Sequence, residues 1–406
     1  MKLRPYPAYK ESGVEWLGSV PTEWRTHRLR WLFKRKNETN RADAELLSVY
    51  RDYGVIPKSS RDDNFNKPSE DLSSYRYVER GDLVLNKMKT WQGSIAISDF
   101  DGIVSPAYYV ARPLLKMNLK FIHYLLRSPV YISQYNLLSA GIRPNQWDLS
   151  FDDFRNLLSL LPPETEQASI VKFIDRETSK IDTLIAKQAK LIELFNERII
   201  AIVMGAILSS ETQYVRLAHV CEVISRPVNQ ASEISFTRLG VLNRGRGLFE
   251  REETDSEDMG DSDFFWVKNG DLVLSGQFAW EGSVAMADEE HEDCVVSHRF
   301  PIIKGKPGVV LTEYLLALFM TSHGDFLLNE NSRGSAGRNR PLNMSLLLKE
   351  KIPIASIAIQ NEVANLLRLQ KKLKDKALVQ IDLLKEHRTA LISAAVTGKI
   401  DVREAA

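Results

Sequence analysis

Along residues 162–208 apolar side chains recur at Ile170, Ile174, Ile181, Leu184, Leu191, Phe195, Ile199 and Ile202, in steps of three, four and seven. That spacing puts them on one face of a helix. No proline lies between Glu164 and Leu208, and the only glycine there is Gly205. Pro162 and Pro163 precede the stretch, and Glu164 and Glu166 place negative charge at the positive end of its macrodipole. The pattern predicts one unbroken helix, about 60 Å long at roughly 1.5 Å per residue. Its coiled-coil seam needs a partner, because a single helix cannot bury its own stripe. Residues 353–399 supply one, with Leu366, Leu369, Leu373, Leu384 and Leu391 on an equivalent seam. Gln167 recurs as Gln360 and Arg198 as Arg388, so the chain reads as duplicated. Antiparallel pairing is expected through Ile174, Ile181, Leu184, Leu191, Phe195, Leu366, Leu373, Leu384 and Leu391. Gln188 is the polar seam position expected to fix register.

A second repeat lies outside the helices. GDLVLNKMKTWQGSIAI at 81–97 matches GDLVLSGQFAWEGSVAM at 270–286. In each, a Gly-Asp turn, a β-branched run and a second glycine predict two strands joined by an exposed connection. Each copy is followed by a predicted helix, at 119–126 and 312–319. A polar, basic loop comes next, SAGIRPNQWDLS at 139–150 and SAGRNRPLNMS at 335–345, and leads to the prolines that open a long helix. RLRWLF at 28–33 and RLAHVC at 216–221 read as a matched short helix or strand. The opening YKESGVEWLGSVPTEW places Trp16 and Trp24 to clamp onto the first domain. The predicted class is α+β, in the order domain (1–161), helix (162–210), domain (211–352), helix (353–406), with an internal pseudo-two-fold repeat.

Composition narrows the function. With 406 residues and 44% apolar content the chain holds two ordinary cores. Two cysteines, Cys221 and Cys294, fit a reducing cytoplasm, and no run approaches the roughly 20 apolar residues of a membrane span. The expectation is a cytoplasmic protein. The net charge of +1 is unevenly spread: residues 1–160 carry 24 Lys and Arg against 18 Asp and Glu, whereas residues 212–351 carry 15 against 21. The acidic second domain argues against a uniform DNA-binding surface. Much of its acidity sits at 250–263 and 288–293, read as solvated loops.

No catalytic set emerges. VTGK at 396–399 lacks the earlier glycine of a phosphate loop, and LPPE at 161–164 lacks the flanking residues that hold a flipped base. The histidines show no metal-ligand spacing, so no metal site is expected. What remains is a binding constellation, because Arg and Lys can fork onto guanine while Asn and Gln can pair with adenine. Lys87, Lys89, Trp91 and Gln92 occupy the first strand connection, and Gln277 and Trp280 the second. Arg143, Asn145 and Gln146 lie in the first basic loop, and Arg338, Asn339 and Arg340 in the second. Trp91 and Trp280, matched between copies, also fit as core anchors. The unmatched Lys87, Lys89 and Gln92, against Gly276, Phe278 and Glu281, suit two domains that read different bases. They equally suit drift in an exposed loop.

Taken together, YKESGVEWLGSVPTEW, the doubled GDLVL…W-x-G-S blocks, GIRPNQWDLSFDDFRNLLSLLPPETEQ and the closing RTALISAAVTGKID resemble the specificity subunit of type I restriction-modification enzymes, over nearly the whole chain. The resemblance implies two target-recognition domains that each read one half of a bipartite double-stranded DNA target, separated by two conserved helices. It implies no activity and no cofactor in this chain. Two adenine-methyltransferase subunits and two restriction (motor-nuclease) subunits would supply the S-adenosylmethionine, ATP and Mg²⁺ chemistry. A standalone two-domain DNA-binding regulator is the alternative.

Overall fold

The computed structural model describes residues 4–61, 68–141, 147–209, 212–229, 235–255, 262–334 and 340–404. The chain divides into two compact units, residues 1–186 with 380–406 (unit 1) and residues 187–379 (unit 2). Both long helices are cut by this division, so each unit takes half of each.

Unit 1 opens with β1 (Tyr9–Glu11), β2 (Ser19–Pro21) and β3 (Arg25–Arg28), followed by the one-turn helix α1 (Leu29–Leu32) and β4 (Phe33–Lys36). Strands β5 (Leu47–Tyr50), β6 (Gly54–Pro57), β7 (Arg76–Val78), β8 (Leu83–Asn86), β9 (Ile95–Ile97), β10 (Gly102–Val104) and β11 (Tyr108–Pro113) come next. Helices α2 (Leu119–Leu126), α3 (Pro129–Leu138) and α4 (Phe151–Asn156), then β12 (Leu158–Leu161), lead into α5 (Glu164–Ile207).

Unit 2 contains β13 (Gln213–Arg216), α6 (Leu217–Val220), β14 (Cys221–Ile224), β15 (Ser235–Phe236), β16 (Leu239–Val241), β17 (Leu248–Glu250) and β18 (Thr254–Asp255). Then follow β19 (Phe264–Trp266), β20 (Leu272–Leu274), β21 (Val284–Met286), β22 (Val295–Ser297) and β23 (Ile302–Gly305). The unit is completed by α7 (Thr312–Phe319), α8 (Ser322–Glu330), α9 (Met344–Leu347), β24 (Lys351–Ile354) and α10 (Ile357–Val396).

The duplication is topological. The four-stranded sheet of unit 1, β4-β11-β8-β9, recurs in unit 2 as β14-β23-β20-β21, and the pairs β3·β12 and β7·β10 recur as β13·β24 and β19·β22. The GDLVL run is apolar without alternation because its strand is covered on both faces. Leu83 and Leu85 join the main core with α2 and α3, while Val84 joins a smaller cluster with Leu47 and Val49. Leu272 and Leu274 divide from Val273 in the same way. The aspartate of the motif is internal: Asp82 accepts from the Glu79 amide and pairs with Lys36, and Asp271 accepts from the Lys268 amide and is forked by Arg226. Both carboxylates lock a turn and are unavailable to a ligand.

Gln167 and Gln360 make the same bonds in their two units. Gln167 accepts from the Asn118 amide at 2.9 Å and donates to the Pro162 carbonyl at 2.8 Å. Gln360 accepts from the Leu311 amide at 2.9 Å and donates to the Ala355 carbonyl at 2.9 Å. Each glutamine ties the first turn of a long helix to the N-cap of an earlier helix, α2 in unit 1 and α7 in unit 2. The opening segment is tied down in unit 1: Trp24 is fully buried and Trp16 meets Tyr131 edge-on with centroids 5.0 Å apart.

Within unit 1 the start of α5 and the end of α10 share a core, through Ile170, Ile174, Leu391 and Ala395. Within unit 2 the end of α5 and the start of α10 do so through Ile199, Val203, Val363 and Leu367. The pairing is therefore antiparallel. Ile174, Ile181 and Leu391 are buried, and Phe195, Leu366, Leu373 and Leu384 are half-buried. Leu184 and Leu191, expected in the seam, instead lie outside it, 48% and 43% exposed. Two helices cover only a narrow strip, and a straight helix drifts about 20° per heptad against a seven-residue repeat. Gln370 and Asn196 form a polar pair across the two helices in unit 2, at 2.6 Å. The acidic segment at 288–293 is not wholly solvated either, since Asp288 pairs with Lys371 of α10 and with His291.

One buried base makes the stability of unit 1 depend on pH. Burial, with Arg127 and Lys120 nearby, pushes the His123 imidazole down to about 4, against about 6.5 in an unfolded chain. Above pH 6.5 the ring is neutral in both states and the full stability is present. As pH falls from 6.5 towards 4 the unfolded chain takes up a proton that the folded one refuses, and stability is lost. At about 1.4 kcal/mol per unit, the loss is at most about 3 kcal/mol, since water reaches part of the ring. Denaturant titrations at pH 7 and pH 4.5 are expected to show this loss in the wild type and a smaller one in His123→Asn. An equal loss in both would remove His123 as its source.

Candidate nucleic-acid interface

The site is built on the connection between β8 and β9. A buried threonine, Thr90, donates its hydroxyl to the Asn86 carbonyl at 2.6 Å, which winds residues 90–92 into one 3-10 turn. Gly93 closes that turn at φ +96°, and a Cβ there would stand 2.9 Å from the Ile132 side chain. Only glycine meets both conditions without strain. Lys89 and Gln92 are exposed, whereas Trp91 is half-buried with its Nε1 donating to the Met88 carbonyl at 2.9 Å.

The basic loop of unit 1 closes onto this connection. Ala140 and Asp148 exchange backbone hydrogen bonds of 3.1 and 2.9 Å at the neck of the loop. The Leu149 amide then donates to the Lys87 carbonyl at 2.9 Å, and Lys87 Nζ lies 3.5 Å from Asp148. Trp147 packs on Trp91 with ring centroids 5.0 Å apart. Arg143, Asn145 and Gln146 lie outside the described residues. Elsewhere in unit 1 the Arg35 guanidinium covers Tyr109 at 4.8 Å and Phe151 at 5.6 Å. The strand connection and the loop thus meet through Trp91, Trp147 and Lys87, with Lys89 and Gln92 exposed on the connection.

Unit 2 repeats the closure with different side chains. Ser332 and Leu342 bridge at the neck, and the Leu342 amide donates to the Gly276 carbonyl at 2.8 Å. The Arg340 guanidinium stacks over Trp280 at 5.0 Å and reaches Asn329 Oδ1 at 3.4 Å. Arg340 thus covers the second tryptophan as Trp147 covers the first, 193 residues earlier. Trp280 Nε1 is buried without a hydrogen bond among the described residues, so the Trp91 bond to the turn is not copied. Gln277 is half-buried beside it, and Arg338 and Asn339 lie outside the described residues.

In each unit the strand connection and the pre-helix loop, far apart in sequence, form one surface. Trp147 and Arg35 were missed as candidates. Trp147 carried a signal in its register with Arg340, whereas Arg35 on β4 carried none, since its neighbours come from β11 and α4. Among the described residues no group of three or more His, Cys, Asp and Glu side chains is placed to hold a metal, and no helix is long and apolar enough to cross a membrane.

No family model and no curated relative matches the chain. Solved structures do. A chain from work on complex assembly and conformational transition of the type I R-M system aligns over 94% of this chain and 99% of its own length, with a TM-score of 0.60 at 18% identity. The HsdS subunit from Thermoanaerobacter tengcongensis aligns over 94% and 98%, with a TM-score of 0.46 at 17% identity. The type I restriction-modification S subunit from M. genitalium aligns over 92% and 96%, with a TM-score of 0.46 at 13% identity. Through the first of these, the chain has the fold of a component of a type I restriction-modification system.

Proposed function

We propose that this chain is the non-catalytic DNA-specificity subunit of a type I restriction-modification complex. The observation that carries the reading is the paired surface: two units of one topology present the same two loops in contact, with different side chains at matched positions. Common geometry with varied chemistry is what reading two half-sites of one duplex requires. On this reading 1–161 and 211–352 are the recognition domains, and 162–210 with 353–406 form the spacer. Methyltransferase and restriction subunits, two of each, bring S-adenosylmethionine, ATP and Mg²⁺, and the complex works in the cytoplasm. Exposed leucines support docking on the helices: Leu184 and Leu383 in unit 1, and Leu191, Leu194, Leu369 and Leu378 in unit 2, are each 43% to 58% exposed. Apolar exposure on both long helices suits a partner surface.

Mapping methylated adenines in cells that carry this chain with its methyltransferase tests the proposal. A bipartite motif with a constant gap is expected, and no sequence-specific methylation would refute it. Lys87→Ala is expected to relax the first half-site only and Arg340→Ala the second only, each by about 1–3 kcal/mol of discrimination at one base. Uniform weakening at all sites would make them phosphate contacts. A standalone regulator would bind duplex DNA and co-purify with no methyltransferase.

A further inference from the structure

Resting on that reading, we infer that a cleft in unit 1, where the start of α3 meets α10, seats a phosphate of the DNA backbone, and that its counterpart in unit 2 does not. The cleft measures about 470 Å³ and is lined by Arg51 at the tip of the β5–β6 hairpin, Arg127 at the end of α2, Ser128, and Arg388 of α10. Three guanidinium groups share it with one lining carboxylate, Asp52.

Two groups are left without hydrogen bonds there. Ser128 is the N-cap residue of the ten-residue helix α3, yet its side chain caps nothing; it is 1% exposed and its hydroxyl has no partner among the described residues. A buried hydroxyl left unpaired beside a helix N-terminus is an incomplete arrangement that an anion completes. The Nε of Arg388 is also buried without a hydrogen bond, with Asp182 3.6 Å away. Arg127 is held in place by donating to the Ile95 carbonyl at 2.8 Å and to the Arg51 carbonyl. Burial presses most on the Arg127 charge, Asp52 offsets part of it, and the neighbouring Arg388 adds a smaller repulsion. A bound anion would offset the burial of the Arg127 charge.

Unit 2 provides an internal control. Its equivalent cleft has Met320 where unit 1 has Arg127, and its long-helix lining is Asn196 and Ile200, without the Arg198 that repeats Arg388 in the sequence. The counterpart of Ser128 is Thr321, whose hydroxyl donates to the Leu318 carbonyl at 2.6 Å and accepts from the Gly324 amide at 3.2 Å. The helix cap is complete there; among the described residues the unpaired group lining that cleft is Trp280 Nε1, and its one guanidinium, Arg244, is accompanied by two carboxylates, Glu281 and Asp325. The difference agrees with the charge of the two halves, basic over residues 1–160 and acidic over 212–351. The β5–β6 hairpin also points to nucleic acid. Arg61 stacks over Tyr50 at 5.1 Å and Tyr53 at 4.7 Å, and Tyr53 is 61% exposed. Alternating aromatic and guanidinium groups are the usual lining of a strand-tracking surface.

The test uses the full-length chain and its mapped target duplex, with binding followed between about 50 and 200 mM salt. Arg388→Asn removes the guanidinium from α10, and Arg51→Gln changes an exposed tip that no core depends on. Each is expected to lower the slope of log affinity against log salt by about 0.9, the value for one phosphate, with equal loss on target and non-target duplexes. Thermal melts check that both variants fold. Unchanged slopes in both folded variants overturn the seat and leave the proposed function standing. So does a loss confined to one base position, or retained DNA binding with lost methyltransferase association, which would make the cleft a protein contact. A wild-type chain that binds no duplex overturns both.

Discussion

Replacing Trp24 with alanine is expected to lower the stability of unit 1 by about 3–5 kcal/mol, the range for deleting a large buried aromatic. Trp24 is fully buried and packs edge-on against Tyr6 and Phe121, with centroids 5.9 and 6.2 Å apart. Its Nε1 donates to Glu166 at 2.9 Å, and the Tyr6 hydroxyl donates to the same carboxylate oxygen at 2.6 Å. Glu166 is itself buried at the start of α5. The variant therefore opens a cavity and also strips a buried carboxylate of one of its two side-chain donors, a further cost. Against a total of about 5–15 kcal/mol for a domain, that removes much of the stability. Trp24→Phe keeps most of the ring and loses the N–H, so it should fall between. Urea titrations followed by circular dichroism measure both, and a loss below about 1 kcal/mol for the alanine variant would contradict the buried geometry.

The second large effect is on specificity. If the helix pair sets the gap between half-sites, adding four residues to α5 within 180–191 and four to the facing part of α10 lengthens the pair by about 6 Å. At roughly 3.4 Å per base pair that is about two base pairs of spacer. Mapped methylation should show the same two half-sites with a longer gap, and loss of modification at the original spacing. Altered half-site bases with an unchanged gap would reject the spacer role. Both helices must be lengthened, because an insertion in one alone breaks the antiparallel register that Gln370 and Asn196 mark.

The same chain shows why some parts of this fold were readable and others were not. Helices α2 and α7 fall where their apolar periodicity placed them, at 119–126 and 312–319. The Gly-Asp turns and the hairpins after them also follow from local chemistry. The seam was only partly legible. Ile174, Ile181 and Leu391 are buried as read, but Leu184 and Leu191 have the same periodicity and stay exposed. Periodicity reports which residues share a face, and how wide a strip the partner covers depends on the partner. The internal role of Asp82 and Asp271 was not legible, because each carboxylate is paired with a cation distant in the chain, Lys36 or Arg226.

From its sequence alone the protein's duplication, the order of its elements, its two long helices and the absence of a recognisable catalytic motif were determined, because these depend on spacing within a few turns or strands. Tertiary structure alone decided that Trp147 covers Trp91 while Arg340 covers Trp280, and that Arg35 stacks on Tyr109 and Phe151. It also decided that Arg51, Arg127 and Arg388 meet beside an unfinished helix cap in one unit only. These neighbours are brought together by sheet register and antiparallel helix pairing across up to 337 residues, from Arg51 to Arg388. A contact over that separation leaves no periodic trace in the chain.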